Sequence, residues 1–358
     1  MKNFRWKKLF CMLLAGAMTL SLLSGCNGGS GDAGTDAGEN GGAGAKAGGV
    51  GISGERYKIA VGVLTFTVDY FKEVAYGAIQ AGEDLGVDVL IYTGQISTPA
   101  DQVALIENQI QTGVDAITFT PTDVYGLATA VDACNEAGII TVSETSILGG
   151  SSDVTTIIAS DDITTGKTVA AKCAEDLGGS GKVIILNTGA AIVNSQLKCE
   201  GIEACFADYP GIEVLTNMAC EGGDQATGQK VMADLLQSYD DVDAVICIND
   251  TIARGALISL EEAGFTPGEN VNVYACNYSA EITEDIRSGA ISCGIYSWGQ
   301  LFGYWSVEMS IRALNGDPVP TDIQQPNSLV TAENVDYYDE IAGKAKNYDF
   351  NAYMANQG

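Results

Sequence analysis

The chain of 358 residues contains no histidine, and its 18 lysines and arginines are outnumbered by 46 aspartates and glutamates. Without imidazole, histidine-based catalytic triads and histidine metal sites are excluded, while carboxylate and cysteine chemistry stay open. The shortage of cations disfavours nucleic acid and anionic lipid surfaces as partners. The acidity itself favours solubility and says little about any ligand. The ten cysteines include no C-x-x-C pair, so the usual zinc and dithiol redox spacings are missing. Long apolar runs are also scarce. The main one, Leu9 to Leu23, spans fifteen residues and falls short of the ~20 that cross a bilayer as a helix.

That run follows Lys2, Arg5, Lys7 and Lys8 with no acid among them, the charge pattern of a secretory signal peptide over residues 1–25. It ends in Leu23-Ser24-Gly25-Cys26, which resembles the bacterial lipoprotein signal, so Cys26 is expected to carry a lipid and become the new N-terminus. Removing the signal leaves 14 lysines and arginines against the same 46 acids. Residues 26–56 then read as a tether. Between Asn27 and Gly54 there are 12 glycines in 28 residues, too little apolar surface to offset the entropy of ordering. At about 5–6 Å × √n such a coil sets the folded part roughly 30 Å from its lipid. Gly49-Val50-Gly51-Ile52-Ser53-Gly54 fits the G-x-G-x-x-G pattern, but it precedes the first strand, where a dinucleotide fingerprint must follow one.

From Tyr57 onward about 300 residues remain, more than one core usually holds, so two lobes are expected. β-rich runs alternate with amphipathic segments. Tyr57 to Leu64 reads as a buried strand. Phe71, Val74, Ala75, Ala78, Ile79 and Leu85 then recur at helical steps, and Gly86 stops that helix. Strands are expected at Val87–Ile91, Ala116–Phe119 and Ile139–Ser143, with helices at Ala100–Gln111 and Asp123–Ala137. A second series follows, with helices at 163–177, 196–207 and 225–237 and strands at 183–186, 212–218 and 244–248. The halves echo each other. Gly113-Val114-Asp115-Ala116-Ile117 parallels Asp241-Val242-Asp243-Ala244-Val245, and each is followed by a helix ending in Glu-Ala-Gly. The expected fold class is α/β: two similar open parallel-sheet lobes of Rossmann-like form. The eight cysteines beyond Cys26 sit mostly in apolar patterns and read as small buried hydrophobes. The tail after Val335 reads as a surface-packed helix.

Region 57–335 resembles the type I periplasmic sugar-binding proteins, in particular the ribose, rhamnose and autoinducer branch. The resemblance is carried by Lys58-Ile59-Ala60-Val61 before Asp69-Tyr70-Phe71, then Thr120-Pro121-Thr122-Asp123, Ile158-Ala159-Ser160-Asp161-Asp162, Glu200-Gly201-Ile202 and Ile248-Asn249-Asp250. It implies three crossings between lobes. One lobe would combine 57–160 with 298–325, the other 161–297 with 326–336, leaving 337–358 as a tail. Lactose-repressor-type regulators share the core but carry a DNA-binding headpiece where this chain has a signal and a tether.

The resemblance also implies a ligand site. Tyr70 and Phe71 fall where the family places two stacking aromatics, although Phe71 also begins a core stripe. Thr120 stands at a family asparagine, and Glu144, beside Thr145, at a ligand-binding aspartate. Lys198 stands at an arginine and loses its planar fork. Asn249 keeps the family asparagine, with Asp250 expected to cap the next helix. Asn277 replaces an aspartate and Ser297 a glutamine. Trp298 reads either as a stacking platform or as hinge packing. One cation, Lys198, and one anion, Glu144, suit a neutral polyol better than an anion.

Gly166-Lys167-Thr168 lacks the earlier glycine of a phosphate loop, since Asp161 stands there. The expectation is a non-enzymatic, cofactor-free and metal-free monomer. It would be lipid-anchored on the outer face of the bacterial cell membrane, binding a sugar and passing it to an ABC permease and its ATPase. A sensory or quorum receptor serving a chemoreceptor or kinase would use the same fold and closure.

Overall fold

The computed structural model describes residues 56–96, 98–144, 149–151, 153–189 and 192–357. The expected signal peptide, Cys26, all of the expected tether but Arg56, and Thr145 lie outside the described residues.

The first sheet is built from β1 (Lys58–Gly62), β2 (Asp88–Tyr92), β3 (Ala116–Phe119), β4 (Ile140–Ser143), β5 (Thr156–Ser160) and β11 (Asp322–Gln325). Its order is β11-β5-β4-β3-β1-β2, and every pairing is parallel. Strand β1 is apolar on both faces because both are covered. Ile59 and Val61 pack into one core with α1 (Asp69–Leu85) and α9 (Gly299–Leu314). Ala60 faces a second core with α2 (Pro99–Gln111) and α3 (Ala128–Glu136). Burying each large aliphatic side chain contributes about 1.5–3 kcal/mol.

Helix ends follow local chemistry. Gly86 closes α1 in the left-handed region at φ 74°, where a Cβ would be strained. Thr98 and Asp101 form a reciprocal capping box on α2, with Pro99 in its first turn. Helix α3 starts at Ala128 rather than at Asp123. Asp123 instead accepts hydrogen bonds from the amides of Tyr125 (2.9 Å) and Gly126 (2.5 Å) and holds a turn. Helices α1 and α9 cross in near backbone contact. A Cβ on Gly303 would lie 2.0 Å from the carbonyl oxygen of Val74.

The second sheet contains β6 (Ser180–Asn187), β7 (Gly211–Ala219), β8 (Ala244–Cys247) and β9 (Asn272–Ala275), in the parallel order β7-β6-β8-β9. Helices α4 (Asp162–Asp176) and α5 (Val193–Phe206) cover the face that carries Val183 and Ile185. Helices α6 (Gln225–Leu235) and α7 (Asp250–Glu262) also belong to this half. Beside β9, β10 (Gly294–Ser297) enters through Ser292 N–H to Val273 O (2.7 Å) and Ala275 N–H to Cys293 O (2.9 Å). It then pairs antiparallel with β12 (Asn327–Val330). A short helix, α8 (Thr283–Ser288), leads into β10.

The chain therefore moves between sheets at three places: after Ser160, after Ser297 and between Gln325 and Asn327. All three lie at carboxyl ends of strands, so the carboxyl ends of both sheets adjoin one hinge. Gln325 there donates to the carbonyl of Trp298 at 2.5 Å, and the Trp298 indole donates to Ser328 Oγ at 2.9 Å.

The tail forms two helices, α10 (Val335–Lys346) and α11 (Phe350–Ala355). It packs more deeply than a surface helix would. Phe350 joins the first core and stacks on Phe66 at 4.8 Å, and the Tyr353 hydroxyl donates to Val89 O on the outer strand β2 (2.8 Å). All eight described cysteines are free, and all except Cys205 are buried.

Candidate ligand-binding site

On the first sheet, Tyr70 sits in the opening turn of α1, while Thr120 and Glu144 directly follow β3 and β4. The Tyr70 hydroxyl donates to the Glu144 carboxylate. Burial raises the pKa of Glu144 above the usual carboxylate value, partly opposed by the hydroxyls of Thr120 and Tyr70. Burial, reinforced by Glu144, also pushes the Tyr70 phenol well up. Thr120 Oγ1 is buried beside this carboxylate without a well-formed hydrogen bond to it. Its backbone is fixed by Gln102, whose amide donates to Thr120 O (2.8 Å) and accepts from Thr122 N (2.9 Å). The Phe71 ring meets Tyr70 edge-on at 5.5 Å and packs against the first core.

On the second sheet, a cavity of about 450 Å³ opens at the strand ends. Lys198, Asn249, Asn277, Thr188 and Glu221 contribute to its wall. Lys198, only 7% exposed, donates to Asn277 Oδ1 at 2.8 Å. A residue absent from the sequence-derived site stands next to it: Asp162 Oδ1 is 3.7 Å from the Lys198 ammonium. Burial raises the pKa of Asp162, and Lys198 pulls it back down. Two glycines make this contact. A Cβ on Gly166 would come within 2.0 Å of Lys198 O, and one on Gly201 within 2.1 Å of Ile163 O. Only hydrogen there lets α4 and α5 approach closely enough to seat Asp162 against Lys198. That gives Gly166 a packing role in place of phosphate binding.

Asn249 corrects the expectation for its neighbour. Asn249 itself caps α7, accepting from the Ile252 amide at 2.8 Å and donating to Gly223 O at 2.9 Å. Asp250 is already helical and accepts from Ser279 Oγ. Its capping work leaves Asn249 lining the cavity with fewer free polar positions.

At the hinge, Ser297 pairs with Asn327 across β10 and β12. Trp298 packs among the rings of this hinge. The residue is 9% exposed, and its ring meets Tyr296 at 5.1 Å and Tyr338 at 5.9 Å. Sequence reasoning also missed Glu73 of α1. It is 5% exposed and accepts from the Tyr296 hydroxyl of β10 at 2.5 Å. Burial raises its pKa to about 8, opposed by the Tyr296 hydrogen bond and helped by Asp69. An acid beside the apolar stripe of α1 was the available signal. Asn327 Nδ2 donates to Thr165 Oγ1 at 2.6 Å, leaving Asn327 Oδ1 unpartnered and buried.

A larger cavity, about 800 Å³, lies at the outer edge of the first sheet between β2 and Tyr353. It lies away from the carboxyl ends of the strands, where ligands of open parallel sheets bind, so the strand-end site is the better candidate. No cluster of metal-ligating side chains occurs among the described residues.

Two open parallel sheets, joined by three crossings and bearing polar half-sites at their carboxyl ends, define a bilobal α/β solute receptor. The chain belongs to the periplasmic binding protein family, its residues 59–318 matching the periplasmic binding protein domain, and its fold is that of the type I group. Over 279 residues it is 28% identical to the ribose import binding protein RbsB of Bacillus subtilis (strain 168), covering 77% of this chain and 88% of that relative. A solved ABC transporter periplasmic solute binding protein of Actinobacillus succinogenes 130z, with bound D-allose, superposes with a TM-score of 0.69 at 22% identity. It covers 79% of this chain and 100% of that one. AraP, an arabinose binding protein of Geobacillus stearothermophilus, gives a TM-score of 0.73 at 20% identity, covering 79% and 99%. These two likenesses establish the fold. The relatives are solute-binding proteins rather than enzymes.

Proposed function

We propose that this chain is the extracytoplasmic solute-binding lipoprotein of an ABC importer, and that it binds a neutral pentose, hexose or deoxysugar between its lobes. The observation that carries this reading is the pair of half-sites at strand ends bordering one hinge: Tyr70 with Glu144 on one side, Lys198 with Asn277 on the other. Glu144 offers an acceptor to a hydroxyl pair, and Thr120 and Asn277 supply further polar contacts. The Tyr70 ring provides an apolar face for a sugar C–H surface. Named relatives that take ribose, D-allose and arabinose support the same ligand class.

In this reading residues 57–160 with 298–325 form one rigid body, and 161–297 with 326–336 the other. A ligand contacting both selects the closed arrangement. The wrong epimer leaves buried polar groups unpaired, at about 1–3 kcal/mol each. Cys26 carries the lipid, residues 26–56 form the tether, and the closed monomer docks on a permease driven by an ATPase. The test is a thermal-shift screen of the secreted fragment over aldoses, deoxysugars and polyols, followed by calorimetry on the hits. A binder raises the midpoint because it binds the folded state. An unchanged midpoint across the whole panel would defeat the reading.

A further inference from the structure

Lys198 is the single cationic side chain among the described residues that line the strand-end cavity. It is buried and hydrogen-bonded to Asn277 at its tip. A buried ammonium facing a cavity would by itself invite an anionic ligand. Behind it, however, stands the Asp162 carboxylate, 3.7 Å away and outside the cavity wall. That distance suits charge compensation while leaving Lys198 a donor free to turn toward a ligand, since an ammonium has three hydrogens. The contact depends on the glycine-mediated approach of α4 to α5. Asp161, not Asp162, caps α4, accepting from the Thr164 amide at 2.9 Å. Helix capping therefore does not account for the second aspartate.

We propose that Asp162 determines the charge class of the ligand: by pairing with Lys198 it cancels the cavity's cation, so that the site accepts uncharged polyols and rejects sugar acids. Asp162 acts through Lys198 and is a positioning residue. The Lys198 ammonium then serves as a hydrogen-bond donor to a hydroxyl instead of as a counter-ion to a carboxylate. This rests on the sugar-binding reading above and deepens it.

The experiment is calorimetry on the secreted fragment with matched pairs: glucose with gluconate and glucuronate, galactose with galacturonate, and ribose and arabinose with their aldonic acids. Glucosamine is added as the cationic member. The wild type is expected to bind at least one neutral sugar and to disfavour its acid by at least about 100-fold, the scale of a desolvated charge mismatch. Asp162→Asn should narrow that ratio at least tenfold, and added salt should weaken the acid alone, because only that complex then rests on an unscreened ion pair. Lys198→Gln leaves Asp162 uncompensated and should move preference the opposite way, raising glucosamine relative to glucose. The two variants make opposite predictions, so a folding failure in one leaves the other decisive. A neutral-to-acid ratio unmoved in Asp162→Asn, or a glucosamine ratio unmoved in Lys198→Gln, overturns the assignment while the sugar-binding reading stands. Wild-type preference for an acid, or binding of no neutral sugar, overturns both.

Discussion

The Tyr296 hydroxyl of β10 donates to the carboxyl group of Glu73 on α1, joining the two halves of the molecule through a hydrogen bond shielded from water. Burial holds the Glu73 pKa near 8 against an ordinary value of 4.5. The folded protein therefore binds this proton more tightly than the unfolded chain. The resulting stability is complete below about pH 4.5 and is lost as pH rises through about 8. Unfolding free energies from urea titrations between pH 5 and 8 should fall by up to about 1.4 kcal/mol per pH unit from this group. Glu73→Gln keeps an acceptor for Tyr296 and should flatten the slope. Some slope remains, because Glu144 and Asp162 are raised in the same direction.

Glu144→Gln tests the first half-site. Its buried carboxylate is the charged acceptor for Tyr70 and for the proposed ligand hydroxyls. Losing a charge-assisted bond of about 1.5–3 kcal/mol should weaken sugar binding roughly 10- to 100-fold by calorimetry. The melting temperature should hold or rise, since the cost of burying the carboxylate disappears. A variant that binds as tightly as wild type would remove Glu144 from the site.

Gly201→Ala inserts a methyl group where Ile163 O stands 2.1 Å away. The two helices must part, at about 1–3 kcal/mol, and Lys198 moves off Asp162, so stability and affinity should fall together. Gly343→Ala is the contrast. That helical position has no neighbour within 4 Å, and the change should stabilise by about 0.5–1 kcal/mol through helix propensity. Chemical denaturation of both variants reads the difference.

The second tail helix can be tested separately from the first. Phe350→Ala empties a buried site against Phe66 and Tyr348 and should cost about 3–5 kcal/mol. Ending the chain at Asn347 also removes Tyr353 from the carbonyl of Val89. That leaves the outer edge of β2 uncovered, and exposed strand edges recruit partners. Light scattering should show concentration-dependent self-association absent from the full chain.

Much of this architecture was legible because buried parallel strands leave a strong trace. Ile59, Ala60 and Val61 are apolar because β1 is covered on both faces, and Gly86 marks the end of α1 by a conformation other residues avoid. The start of α3 was misread because Asp123 can initiate a helix or hold a turn, and the local sequence suits both. The four-residue β10 and β12 carry too few alternations to show a period; their existence depends on pairing with each other. Within the site, the motif resemblance pointed to single positions on strand ends. Asp162 and Glu73 escaped because their importance lies in partners 36 and 223 residues away. Those partners are chosen by helix approach and by the chain crossings, which no local window contains.

Helix α10 accepts the Gln300 amide of α9 on Ile341 O (3.0 Å), and its Asp336 holds Arg287 of α8 at 2.6 Å. One end of the helix thus grips the first half and the other the second, with Tyr338 wedged among the hinge rings. In the proposed closing motion, a swing of the two halves would either break the exposed Arg287–Asp336 link or slide Tyr338 over Tyr296. The helix would then meter how far the halves part, and salt, which loosens the link, should widen that travel.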